Sequence, residues 1–172
     1  MASNQKKSTI PLLSQNEFYT NMPESESNKP EIATAETIIT TWLTAITDTA
    51  SQHDHTAHMN LISKNIRLTG VPGFESIGFD DWSSQCKDEF EKKLIVEIKY
   101  QGLKVRAATD SRIMFVTEET VIASDGTKNQ QGIECLLDIE DDGTWRLRQQ
   151  RVLADDETAQ YLKEDYLPDF AV

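Results

Sequence analysis

The sequence lacks the features that mark membrane, secreted and nucleic-acid-binding proteins. No apolar run approaches the roughly 18 residues needed to span a bilayer, and the apolar stretch at 10–13 is too short for a signal peptide. Only 17 Lys and Arg stand against 29 Asp and Glu, for a formal net charge of −12. Because this charge repels phosphate backbones and anionic lipids, we expect no nucleic acid and no membrane as partner, and a cytoplasmic location.

Cysteine and histidine are also scarce, and neither has the spacing of a metal site. Cys86 and Cys135 match no metal-ligand or CxxC pattern, so we expect two buried, reduced thiols. All three histidines lie at 53–58, and His55 with His58 has the i, i+3 spacing that can share a metal on a helix. No third ligand is evident. The sequence therefore predicts no metal and no other cofactor.

The composition divides the chain into three parts. Residues 1–30 are rich in Ser, Asn, Gln and Glu without a sustained apolar period, which is typical of a flexible arm. Residues 31–153 carry the periodic patterns of one folded domain. Residues 154–172 form an acidic extension that we expect to be partly helical.

The first half of the domain has the apolar spacing of helices. A helix is predicted from near Pro30, because apolar residues three and four positions apart share one helical face: Ile32, Ala35, Ile39, Trp42 and Ile46. A short second helix, capped by Asp54, turns His58 inward. After a short strand at 66–69, a third helix begins at Asp80 and carries Trp82 on its apolar side.

In the second half of the domain, apolar residues recur at every second position, which is typical of strands. Strands are predicted from Leu94, with a bulge at Gly102, and at 112–123, 128–139 and 144–153. Loops with Asp110-Ser111, Asp125-Gly126 and Asp142-Gly143 separate them, so we predict hairpins in an antiparallel meander. The fold class is therefore α+β, with three N-terminal helices packed in a curved antiparallel sheet.

The turn at 141–143 sets the register of the last hairpin, if its glycine takes the left-handed position. The core face of that hairpin then contains Ile133, Cys135, Leu137, Ile139, Trp145, Leu147, Gln149 and Arg151. This face becomes polar only at Gln149 and Arg151, where we expect a pocket between the sheet and the helices.

The preceding hairpin allows two registers, and a slip of one residue exchanges its two faces. A two-residue turn at Asp125-Gly126 points Met114, Val116 and Glu118 inward, whereas a three-residue loop ending at Gly126 points Phe115, Thr117 and Glu119 inward. In the first register, Glu118 shares a row with Arg151. That pair is either an ion pair closing the core or a ligand contact.

Three features of the pattern resemble the nuclear transport factor 2-like superfamily, in its SnoaL-like and ketosteroid-isomerase-like branch. They are Asp54 at the start of the second helix, Ser76-Ile77-Gly78 before the third helix, and the final strand 142–147 with its core Trp145. The resemblance covers about residues 31–153. It implies a cone-shaped domain with a hydrophobic cavity, usually in a homodimer paired through sheet faces. The residues that carry ketosteroid isomerization in that family are not matched here.

Three functions are consistent with this resemblance. The first is a domain that binds a small, mainly apolar molecule, with Trp42, Trp82, Glu118, Gln149 and Arg151 lining its pocket. The second is a SnoaL-like acid–base enzyme, an isomerase, cyclase or dehydratase acting on a polyketide- or steroid-like ring. In that case His58 would be the titrating group and Asp54 would orient its ring. The third is a protein association module without a ligand.

Overall fold

A computed structural model describes residues 29–163, with the side chains of 32–162. Helices and strands follow in the order α1 (Lys29–Ser51), α2 (His55–Met59), β1 (Ile62–Thr69), α3 (Phe79–Glu91), β2 (Ile95–Ala108), β3 (Arg112–Ala123), β4 (Lys128–Ile139), β5 (Trp145–Val152) and α4 (Asp155–Lys163). The predicted order of helices followed by a sheet is confirmed. The predicted arm falls almost entirely on 1–28, outside the described residues. Within the described part, no helix is both long and apolar enough to cross a membrane.

Helix α1 buries the stripe of residues that its sequence period predicts. Four of the five predicted residues are at most 5% exposed: Ala35, Ile39, Trp42 and Ile46. Ile32 does not join them, because it is 43% exposed on the first turn. The cap of α2 is also confirmed, since an oxygen of the Asp54 carboxylate accepts a hydrogen bond from the backbone N–H of Ala57 at 3.0 Å.

The five strands lie in the order β1-β5-β4-β3-β2. Strands β2 to β5 form the predicted antiparallel meander, whereas β1 pairs with β5 in parallel. The strand predicted at 66–69 had no assigned partner, and the structure places β1 as a parallel edge beside β5. The bulge in β2 is confirmed by the φ of +71° at Gly102 and by a register shift between Gln101 and Lys104.

The hairpin of β3 and β4 adopts the second of the two predicted registers. The N–H of Ala123 donates to the carbonyl of Thr127 at 2.9 Å, which closes a three-residue loop, and Gly126 has a φ of +86°. Phe115 and Thr117 consequently face the helices and are fully buried. We call this side of the sheet the inner face and the opposite side the outer face.

The hairpin of β4 and β5 follows the predicted register only near its turn. Leu147 lies opposite Leu137 as expected, but the register then shifts, so that Gln149 lies opposite Leu136 and Gln150 opposite Cys135. This bulge in β5 exchanges the two faces beyond Leu147. The predicted inner-face positions of Gln149 and Arg151 were therefore wrong, and Gln150 takes the inner position instead.

The core lies between the inner face and helices α1 to α3. Its largest fully buried side chains on the sheet are Ile62, Ile113, Phe115, Ile133, Leu137 and Leu147. Cys86 and Cys135 are buried free thiols, as predicted. Helix α4 packs on β2, β3 and β4 from the outer face, within the segment predicted to be a partly helical extension.

Candidate functional site

A polar cluster interrupts the apolar inner face near one end of the sheet. Glu119 follows Phe115 and Thr117 at intervals of two on β3, so its side chain points the same way. It lies opposite Tyr100 of β2 and Gln131 of β4. The Tyr100 hydroxyl donates to one carboxylate oxygen of Glu119 at 3.1 Å, and the Gln131 side-chain amide donates to the other at 3.4 Å.

The surroundings of this cluster favour the protonated forms of both acids. Burial raises the pKa of Glu119 because desolvation penalizes the carboxylate, while the hydrogen bonds from Tyr100 and Gln131 act in the opposite direction. Burial also raises the pKa of Tyr100 well above its usual value, and the adjacent Glu119 adds to this effect. Carboxyl groups with a raised pKa beside a cleft are typical of acid–base and ligand-recognition sites.

A cleft of about 700 Å³ opens next to the cluster, at the end of β4 where Gln131 lies. Its lining residues come from the end of β1, the start of β4 and the link from β5 to α4: Gly70, Val71, Pro72, Asn129, Gln131, Val152, Leu153, Ala154 and Glu157. The volume is in the range of small-molecule sites. Gln131 belongs to both the cleft and the cluster, so its amide connects the opening to Glu119.

A second cleft of about 290 Å³ lies at the opposite end of the sheet. It is lined by Thr34, Ala35, Ile38, Ala108, Thr109, Asp110, Ile113 and Trp145. Gln131, which joins the larger cleft to Glu119, does not contribute to this lining. The larger cleft is therefore the better candidate site.

His58, the residue predicted to titrate in catalysis, lies in the core. Its side chain is 5% exposed, and its ring packs edge-on against Phe90 with 5.2 Å between centroids. Nδ1 of His58 is 2.9 Å from the hydroxyl of Thr49, which itself donates to the carbonyl of Ala45. This hydrogen bond ties the His58 ring to α1.

Desolvation by burial, with a smaller contribution from the neighbouring His55, lowers the pKa of His58 to about 4. Such a group is neutral near pH 7, which does not favour the predicted catalytic role. The predicted contact from Asp54 was wrong, since the Asp54 carboxylate binds the N–H of Ala57 and the partner of His58 is Thr49.

The predicted pairing of Glu118 with Arg151 was also wrong. Glu118 accepts a hydrogen bond from the Gln130 amide at 2.6 Å, whereas Arg151 contacts Glu134 at 3.3 Å and Glu157 at 2.9 Å. All of these contacts lie away from the inner face, because β3 takes the other register and β5 has a bulge. Neither residue contacts the inner cluster.

The two tryptophans predicted as pocket walls pack into the core. Trp42 is 5% exposed, and its indole N–H donates to the carbonyl of Leu61 at 3.1 Å. Trp82 on α3 is half-buried against the same core. The larger cleft has no contribution from either residue.

Among the described residues, no group of three or more His, Cys, Asp or Glu side chains is arranged to hold a metal. His55, which has the i, i+3 spacing with His58, has Nε2 at 2.9 Å from the carbonyl oxygen of Ser83. Glu119 is engaged by Tyr100 and Gln131. The cluster therefore offers a carboxyl group, a phenol and an amide that are joined by hydrogen bonds.

The inner cluster depends on a register that the sequence leaves open. Glu119 faces inward only in the second register of the β3–β4 hairpin, and the predicted pocket followed the first, with Glu118. A signal for Tyr100 existed, since it continues the alternation of Leu94, Val96 and Ile98, and cross-strand pairing would have joined it to Glu119.

Comparison with known proteins bears on the fold. No family model and no curated protein matches the sequence. Similar solved structures include a nuclear transport factor 2-like protein of unknown function from Shewanella oneidensis MR-1, with a TM-score of 0.58 and 16% identity over 68% of this chain and 97% of that one. A protein provisionally named a scytalone dehydratase, from Novosphingobium aromaticivorans DSM 12444, has a TM-score of 0.58 and 8% identity over 72% and 85% of the two chains.

A third similar structure, from Catenulispora acidiphila, was solved in complex with S-DNPA. Its TM-score is 0.56, with 15% identity over 74% of this chain and 98% of that one. At these identities the likeness concerns the fold alone. The curved five-stranded sheet, the helices that precede and fill it, and these structural neighbours together identify the fold of this chain as nuclear transport factor 2-like.

Proposed function

We propose that this domain binds a small, mainly apolar and uncharged molecule in the larger cleft. The observation that carries the proposal is the position of Gln131, which lines the cleft and also binds Glu119. A ligand there can pack on Val71, Pro72 and Val152 and present one polar group to the amide. The described lining contains the Glu157 carboxylate and no Lys, Arg or His side chain, which disfavours an anionic ligand.

The test uses 2-naphthol as an uncharged ring probe and 2-naphthoate as its anionic counterpart. We expect NMR titration of labelled protein to shift the side-chain amide signals of Gln131 and Asn129 with 2-naphthol, and to show weaker binding of 2-naphthoate. Gln131→Ala should weaken 2-naphthol binding about 5-fold, the value of one hydrogen bond of about 1 kcal/mol.

Gln130→Ala provides a matched control, because Gln130 is the same residue type on the same strand. Its side chain binds Glu118 and does not line the cleft. Equal losses in the two variants, or shifts confined to the smaller cleft around Thr109 and Trp145, would contradict the proposal.

The second candidate function is acid–base catalysis on a ring substrate, with Glu119 as the proton-transfer group and Tyr100 as its hydrogen-bond partner. The hydrogen bond between them and the raised pKa of Glu119 favour it over the earlier assignment to His58. In its carboxylate form, Glu119 takes a proton from a carbon atom of the substrate and then returns it to the substrate, so the reaction consumes no other reagent.

Hydrogen–deuterium exchange at the carbon α to the carbonyl of 2-tetralone is a direct assay for this chemistry. If Glu119 is the base, the protein accelerates deuterium incorporation from D2O, and Glu119→Gln removes the acceleration. Glu118→Gln changes a neighbouring carboxylate outside the inner cluster and should have little effect. Exchange that survives in Glu119→Gln, or no acceleration by the native chain, rules against this function.

We also propose a cytoplasmic homodimer paired through outer sheet faces. The two buried free thiols support the location, and the half-buried Met114 and Leu136 on the outer face support the pairing. Helix α4 covers another part of that face, which restricts pairing to the remainder. Sedimentation should give a dimer at micromolar concentration, and a monomer would contradict the pairing.

A further inference from the structure

Helix α4 lies on the outer face of the sheet through one side of the helix. The Glu157 carboxylate accepts hydrogen bonds from Arg151 of β5 at 3.0 and 2.9 Å. One turn later, the guanidinium of Arg106 from β2 lies 4.3 Å from the ring centroid of Tyr161. The helix therefore crosses the sheet from β5 to β2, and its ends are held by charged and aromatic contacts.

Between these ends, α4 approaches β4 so closely that only glycine fits beneath it. A Cβ atom on Gly132 would lie 1.9 Å from Oγ1, 2.5 Å from Cγ2 and 2.7 Å from Cβ of Thr158. Real Cβ atoms do not approach other atoms this closely. Thr158 is 8% exposed, and its hydroxyl donates to the carbonyl of Ala154, the residue that precedes the helix.

The same helix contributes to the wall of the larger cleft. Glu157 of α4 lines it, together with Leu153 and Ala154 of the link that leads into the helix and with Gln131 of β4. Gln131 immediately precedes Gly132, so the residue that lines the cleft and the residue beneath α4 are chain neighbours on opposite faces of β4. A displacement of α4 would therefore move Glu157 and the link before the helix, and with them one wall of the cleft.

We propose that α4 is a movable wall of the binding site, whose docking on Gly132 completes the cleft and is in turn stabilised by the bound molecule. This inference rests on the proposed binding function. A nine-residue helix is not stable alone in water, so α4 remains helical only while it is docked. Because coupling between two binding events is reciprocal, a ligand that needs the docked wall must also strengthen its docking.

The test exploits the close contact between Gly132 and Thr158. Gly132→Ala places a methyl group against Thr158 and should displace α4, which increases amide hydrogen exchange at 155–163 at least tenfold and weakens 2-naphthol binding at least tenfold. Thr158→Gly removes all three atoms that the new methyl group would meet, so the double variant should recover both properties to the level of Thr158→Gly alone. Thr158→Ala leaves its Cβ at 2.7 Å and should rescue only in part.

In the native chain, saturating 2-naphthol should slow amide exchange across α4. Displacement of α4 in Gly132→Ala with unchanged 2-naphthol affinity would overturn the inference and leave the binding function intact. Failure of the native chain to bind 2-naphthol in the cleft would overturn both, and this is seen before any variant is made. Unchanged amide exchange at α4 in Gly132→Ala would refute the assigned contact between Gly132 and Thr158. If the Gly132→Ala chain does not fold, the same measurements compare Thr158→Gly with the double variant that carries both substitutions.

Discussion

The buried His58 makes the stability of the domain depend on pH. Burial lowers its pKa from 6.5 to about 4, whereas the unfolded chain keeps the ordinary value. Between these two values the unfolded state binds the proton more readily than the native state. The contribution of neutral His58 to the free energy of unfolding is therefore complete above about pH 6.5 and is lost as the pH falls toward 4.

The size of this effect follows from the two pKa values. At about 1.4 kcal/mol per pKa unit, complete loss corresponds to about 3 kcal/mol, and the part lost between pH 7 and about pH 4.5 is about 2 kcal/mol. Asp138 and Asp142 have native pKa values lowered by their arginine partners, whereas burial raises the pKa of Glu119. All three carboxyl groups are also present in a His58 variant, so their effects cancel when the two chains are compared.

The assay is urea unfolding of the native chain and of His58→Gln at pH 7 and pH 4.5. Glutamine can keep a hydrogen bond to Thr49 but does not titrate, so the difference between the chains isolates the imidazole. We expect the native chain to lose about 2 kcal/mol more than the variant. Equal losses in both chains would refute the assignment of His58 as a neutral core residue and would reopen its catalytic role.

Three further substitutions test contacts that hold the fold around the site, each measured by urea unfolding. Asp54→Ala removes the cap of α2 and should lower the free energy of unfolding by about 1 kcal/mol, with no change in 2-naphthol affinity. A change in affinity would mean that Asp54 contributes to the site. Arg146→Lys should cost about 2 kcal/mol, because lysine cannot bind Glu140, Asp142 and the carbonyl of Asn60 together, and a loss near zero would show that these contacts are not stabilising. Trp42→Phe leaves the carbonyl of Leu61 without its indole donor and should cost about 1–3 kcal/mol; an unaltered free energy of unfolding would contradict that role.

The sequence was sufficient to predict the elements that have strong local signals. The stripe Ala35, Ile39, Trp42 and Ile46 follows from helical spacing, and the hairpin ends follow from Asp-Gly turns. The glycine bulge at Gly102 was predicted in the same way. These features depend on neighbours along the chain, so periodicity and turn chemistry determine them.

The candidate site could not be predicted because two register choices lack a local signal. The loop at 124–126 permits two hairpins that differ by one residue, and only the complete sheet selects the one that turns Glu119 inward. The bulge in β5 between Leu147 and Gln149 has neither glycine nor proline to mark it. As a result Arg151 was assigned to the pocket, whereas it binds Glu157 on α4.

The parallel pairing of β1 with β5 shows the same limit. These strands are far apart in sequence, and the residues of β1 from Ile62 to Thr69 do not show which partner they will meet. Chain neighbours fix the direction of a hairpin, but the partner of a distant strand depends on how the helices between them pack.

The most direct test of the central claim is a crystal structure of the chain grown with 2-naphthol. The proposed function predicts the naphthalene ring in the cleft against Pro72 and Val152, with its hydroxyl within hydrogen-bonding distance of the Gln131 amide. An empty cleft at saturating probe, or a ring found only beside Trp145 in the smaller cleft, would contradict it.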